Sequence, residues 1–169
     1  MSKNITDSSI EISEKYNVPI MLIASRRQID TEFYGGGYVN NWSTKNYAKY
    51  VTKRQKKNNI FLARDHGGPW QNQKDIDNKI TLNEAMNRSK RSFEEDILND
   101  FFLIHIDTSV SLKKRVPFND AMERLFELYE HCYSFSKKNK KNILFEVGTE
   151  EQNGSTSNLE GLELTLNKL

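Results

Sequence analysis

A chain of 169 residues suffices for one domain with its own core, and 25 Lys+Arg against 23 Asp+Glu leave a formal charge of +2, without the strongly basic balance of a nucleic-acid binder. No apolar run approaches the roughly 18 residues of a membrane span, the mean hydropathy is -0.76, and the single cysteine, Cys132, cannot close an internal disulfide. The polar start, MSKNITDSSIEISEKYN, lacks the apolar stretch of a secretion signal, so the expectations are a reducing cytoplasm, no nucleic acid and no membrane.

Ile10 to Tyr16 reads as a short helix, and Asn17-Val18-Pro19 then turns into the first strand, Ile20 to Ala24. That strand ends in Ser25-Arg26-Arg27-Gln28, and a long loop follows with Gly35, Gly36 and Gly37 between Tyr34 and Tyr38. Ser43 or Thr44 caps a helix expected from about Thr44 to Lys57, with Tyr47, Tyr50 and Val51 on one face. The second strand is the apolar run Ile60 to Ala63, which stops at Arg64, Asp65 and His66 before the turn Gly67-Gly68-Pro69. Thr81 and Glu84 have capping-box spacing, so a helix is expected from Leu82 to about Asn99. Phe101 to Ile106 is the third strand, a helix with Cys132 as a packing residue follows Pro117, and Ile143 to Val147 is the fourth strand. The lysines of SKKNKKN before it read as a solvated loop.

The order βαβαβαβ implies α/β architecture with a parallel sheet and right-handed crossovers, in a doubly wound sheet or a barrel. No G-x-G-x-x-G or G-x-x-x-x-G-K-[ST] follows a strand. Long loops after the strands favour the TIM (β/α)8 type, whose site lies at the carboxyl ends of the strands, but a closed barrel usually takes about 250 residues. Residues 1–169 therefore read as its amino-terminal half, truncated after four βα units: a half barrel of parallel strands.

Chemistry is expected where these strands end. Alternation puts His105, Asp107 and Ser109 on one face of the third strand, and Glu146, Gly148 and Glu150 on one face of the fourth. With Asp65 and His66 they ring the mouth with groups suited to proton transfer beside a carbonyl. Asp65, Asp107 and Glu150 are the candidate catalytic groups, and His105 reads as a satisfied core histidine. For a divalent metal such as zinc, only His66 is well positioned as a ligand, and the remaining ligands are expected from outside the chain. Arg26, Arg27, Gln28, Gly36, Gly37, Ser109 and Glu146 are candidate substrate contacts, the arginines for phosphate. The glycines permit either close backbone approach to an anion or a mobile lid.

The succession QID, GGGYVNNW, ARDHGGPWQ, IHIDTS and FEVGTEEQNG, in order from about Ile12 to Gly154, resembles the accessory, non-catalytic subunit family of class II tagatose-bisphosphate aldolases. The resemblance implies a TIM barrel, a role in sugar-phosphate metabolism, and partnership with a catalytic class II aldolase subunit. Within the wider class II group it implies a proton-transfer acid at Asp65, a zinc-ligating histidine at His66, and a glutamate at Glu146 or Glu150. The reading is thus a carbohydrate protein that binds a sugar or sugar phosphate and supports an aldolase. Its rivals are a free-standing sugar aldolase or epimerase and a purely structural partner subunit. Exposed edges of the half barrel make self-association an expectation.

Overall fold

Each apolar run forms a strand in the computed structural model, which describes residues 2–112, 116–148 and 159–169. Helix α1 (Lys3–Tyr16) leads into β1 (Ile20–Ser25), and α2 (Thr44–Arg54) into β2 (Ile60–Gly67). A short α3 (Gln73–Asp77) and the long α4 (Leu82–Leu98) precede β3 (Phe101–Asp107), and α5 (Phe118–Lys138) precedes β4 (Leu144–Gly148). Helix α6 (Leu159–Leu166) ends the described residues. None of these helices is long and apolar enough to cross a membrane.

The strands lie in the order β1-β2-β3-β4, all parallel. Each connection steps to the next strand in the same direction, whereas a doubly wound sheet reverses its order at a switch point. The helices also share one face. Leu22 and Leu62 pack with Ile10, Tyr47 and Val51 of α1 and α2, while Ile104 and Ile106 pack with Phe93, Ile97, Leu125 and Cys132 of α4 and α5. The opposite face leaves Met21, Ile23 and Leu144 exposed. One-sided helices on consecutive parallel strands make this a half barrel of βα units.

Local chemistry sets the ends of the elements. Helix α1 begins at Lys3, well before Ile10, because Ser2 caps it and accepts from Ile5 N–H. Helix α2 stops short of Lys57, where the Glu14 carboxylate takes the backbone N–H groups of Lys56 and Lys57 at 2.6 and 2.9 Å. The capping box forms at α4: Thr81 accepts from Glu84 N–H, and the Glu84 carboxylate accepts from Thr81 N–H. Cys132 is fully buried in α5.

The departure that matters most for function is in β2, which runs on through Arg64, Asp65 and His66 to Gly67. Arg64 pairs with Ile104 and Gly67 with Ile106, so β2 spends one residue more than β3 between these points. That is a bulge, a device that bends a strand and re-aims its side chains. His66 takes a left-handed φ of 42° there, a conformation disfavoured for a residue with a Cβ.

Candidate functional site

Strand alternation at Arg64 and Asp65, and the bulge before Gly67, give Arg64 and its two neighbours different surroundings. Arg64, wholly buried, grips Asp96 of α4 through two bonds of 2.8 and 2.7 Å and donates to the carbonyls of Ala24 and Ile29. Asp65 and His66 instead open toward solvent at the carboxyl end of β2, with side chains 40 and 44% exposed. There they meet His105 and Asp107 of β3.

Asp107 is buried and its carboxylate is fully engaged. One oxygen accepts from His66 Nδ1 at 2.7 Å and from Gln71 Nε2 at 2.7 Å, and the other accepts from the Ser109 backbone N–H and hydroxyl at 2.9 and 2.6 Å. Since an ionised carboxylate only accepts, His66 donates from Nδ1 to Asp107, and in the neutral imidazole the lone pair then lies on Nε2. His66 Nε2 lies 3.8 Å from Asp65 Oδ1, and His105 Nδ1 lies 3.5 Å from the same oxygen. The two imidazole centroids are 5.1 Å apart.

The charges of these groups reinforce one another. The hydrogen bond from His105, aided by the neighbouring His66, holds the Asp65 carboxyl below its usual range. Burial disfavours the charged form of His105, yet the Asp65 hydrogen bond and the charges of Glu146 and Asp107 outweigh it and raise its pKa. The arrangement offers an ionised, accessible carboxylate between two imidazoles, able to take a proton or to share a cation.

Other expected site residues have different surroundings. Arg26 is wholly buried: it pairs with Asp30 at 3.0 Å, lies 3.5 Å from Asp75, and donates to the Gly68 carbonyl at 2.8 Å. It ties the loop after β1 to the glycine turn after β2, whereas Arg27 beside it is exposed. Gln28 is half-buried, its side-chain oxygen accepting from Ser25 N–H. Gly36 is buried, and a Cβ on Gly37 would sit 2.0 Å from the Gln28 carbonyl. Close packing of the loop against itself therefore accounts for Gly37. Ser109 serves Asp107, Glu146 is exposed on β4 opposite His105, and Glu150 lies outside the described residues.

His105, read from sequence as a core residue, is the group that sequence reasoning missed. Its alternation with Asp107 was the available signal, but the bulge that brings Asp65 and His66 beside it leaves no mark in the pattern. The ring is seated against β4, where a Cβ on Gly148 would lie 2.1 Å from His105 Nε2. Glycine at this position makes room for the imidazole.

No protein-family model matches the sequence, and no curated protein matches it either. Among solved structures the chain is similar to a crystal structure described as a probable tagatose 6 phosphate kinase from Sinorhizobium meliloti 1021, with a TM-score of 0.73 and 16% sequence identity. The match covers 95% of this chain and 40% of that one, so the chain spans less than half the length of its structural neighbour. At that identity the likeness is one of fold.

Proposed function

We propose that the chain binds a sugar or sugar phosphate at the carboxyl-terminal mouth of its half barrel and acts in carbohydrate metabolism, in support of a class II aldolase. The observation that carries this reading is the convergence of Asp65, His66, His105 and Asp107 at the ends of β2 and β3. Acceptors and donors gathered at a strand-end mouth suit a polyhydroxylated ligand. The motifs by which the sequence resembles the aldolase accessory family support the choice of ligand, as does a structural neighbour named for tagatose 6 phosphate. With Arg26 enclosed, Arg27 is the arginine of this pair available to a phosphate.

Calorimetry with a phosphorylated ketohexose and its unphosphorylated counterpart tests the reading. Tighter binding of the phosphorylated sugar is expected, and Arg27→Ala should reduce that preference by about tenfold, as loss of one charge-assisted bond does. Equal affinity for the two sugars removes the phosphate from the proposal, and binding of neither sugar overturns the whole. The accessory role is tested by adding the chain to a class II aldolase and following its activity and half-life.

A second reading, a free-standing aldolase or epimerase, is favoured by the accessible Asp65 carboxylate beside two imidazoles. In that case Asp65→Asn should cost roughly 100- to 10,000-fold in turnover, the usual worth of a proton-transfer group. If the chain only supports a partner, the same change should alter the partner's activity by no more than about threefold.

A further inference from the structure

We propose that Asp65, His66 and His105 hold one divalent transition-metal ion, with Asp107 as the buried carboxylate that aims His66 toward it. The three donor atoms lie within 4.8 Å of one another, with separations of 3.8 and 3.5 Å from Asp65 to the two imidazoles. Donors around a tetrahedral ion with bonds near 2 Å stand about 3.3 Å apart. Small side-chain rotations therefore close the site.

The surroundings prepare each ligand. His66 donates a hydrogen bond from Nδ1 to Asp107, so in the neutral ring Nε2, the nitrogen beside Asp65, carries the lone pair that ligates. Ligating histidines characteristically make this bond to an outer carboxylate, which fixes their tautomer and orientation. Gln71 and Ser109 in turn occupy both Asp107 oxygens, so that carboxylate cannot swing away. His105 Nδ1 faces Asp65 Oδ1 at 3.5 Å and the His66 backbone N–H at 3.4 Å, both at the long end of hydrogen-bond range, so an ion bound between the side chains replaces weak contacts. Gly148 seats the same ring from the other side. The strained φ of His66 and the bulge in β2 hold two adjacent residues at one point, which a regular strand does not do.

Two imidazoles and one carboxylate suit zinc, cobalt, nickel or ferrous iron better than magnesium or calcium, which prefer all-oxygen sites. Asp65 and His66 are partly exposed, so coordination positions remain on the solvent side. When bound, such an ion polarises a ligand oxygen. Its use toward vicinal oxygens of a sugar rests on the function proposed above, whereas ion binding itself does not.

The test is equilibrium dialysis and calorimetry of the purified chain with Zn2+ and Co2+, without sugar. One ion per chain is expected, with His66→Gln and His105→Gln each weakening binding at least about tenfold and Asp107→Asn about ten- to a hundredfold. His131→Gln, which alters a distant imidazole paired with Glu94 at 3.0 Å, should change nothing. Circular dichroism of each variant separates ligand loss from misfolding, and Asp65→Asn, at a partly exposed position, stands in for a histidine variant that fails to fold. No saturable binding, binding indifferent to both His66→Gln and His105→Gln, or equal loss in His131→Gln overturns the proposal. Sugar affinity is measured separately with and without Zn2+. Sugar binding by a chain that takes no metal overturns this inference alone, and metal binding by a chain that takes no sugar overturns the functional reading alone.

Discussion

Arg64 and Asp65 are neighbours in sequence with opposite tasks. The Arg64 guanidinium is sealed between β2 and α4, where Asp96 and two carbonyls accept its hydrogen bonds. Removing one partner of such a buried pair strands the other charge and typically costs about 3 to 5 kcal/mol. Arg64→Ala is therefore expected to lower unfolding free energy by about that amount in a urea titration. Asp65 sits partly in solvent, and its ion pair with His105 is correspondingly screened. Asp65→Asn is expected to cost less than about 1 kcal/mol in the same titration. A larger loss for Asp65→Asn than for Arg64→Ala would assign the structural role to the wrong residue. The run of charges does not say which side of the sheet is covered: alternation puts Arg64 on the helix-covered face with Leu62, and Asp65, in register with Ser25 of β1, on the other.

At the scale of elements, pattern and structure agree where hydrogen bonding is local. The four strands and the α4 capping box were legible because apolar runs and a Thr-x-x-Glu spacing report directly on burial and on helix starts. The continuation of β2 through three polar residues was not, since long-range pairing with β1 and β3 overrides their strand propensity there. Two consequences can be measured. In Gly148→Ala the new methyl must displace the His105 imidazole, so a shifted His105 ring resonance and a loss of about 1 to 3 kcal/mol are expected, as in other overpacked sites. At α4, hydrogen bonds from the Thr81 backbone and hydroxyl hold the Glu84 carboxyl below its usual 4.5. With the folded pKa below the unfolded one, the contribution of Glu84 is fully present above the unfolded value and disappears as pH falls through the lowered folded value. Carboxyl resonances followed through acid titration should show Glu84 protonating below the usual glutamate range.

The whole molecule carries an uncovered apolar face. Met21, Ile23, Phe102 and Leu144 are exposed, and among the described residues no strand pairs with the outer edge of β1 or β4. Unpaired parallel edges beside exposed aliphatic side chains favour association. A polypeptide of residues 1–169 by itself is expected to elute above its 19.7 kDa mass in size-exclusion chromatography with light scattering. A monodisperse monomer with a single sharp unfolding transition would show that the face is tolerated in water.

The consecutive strand order also dictates how the molecule comes apart. Every strand touches only its neighbours in sequence, so the sheet behaves as a short linear array in which the outer members have one partner and the inner members two. Opening at an outer member sacrifices one set of ladder bonds, whereas opening at an inner one severs the array. Backbone amides of β2 and β3 should therefore exchange with deuterium last, and those of β4 well before them. Asp65, His66, His105 and Asp107 all belong to the two inner strands, so the chemistry rides on the part of the sheet that is last to let go.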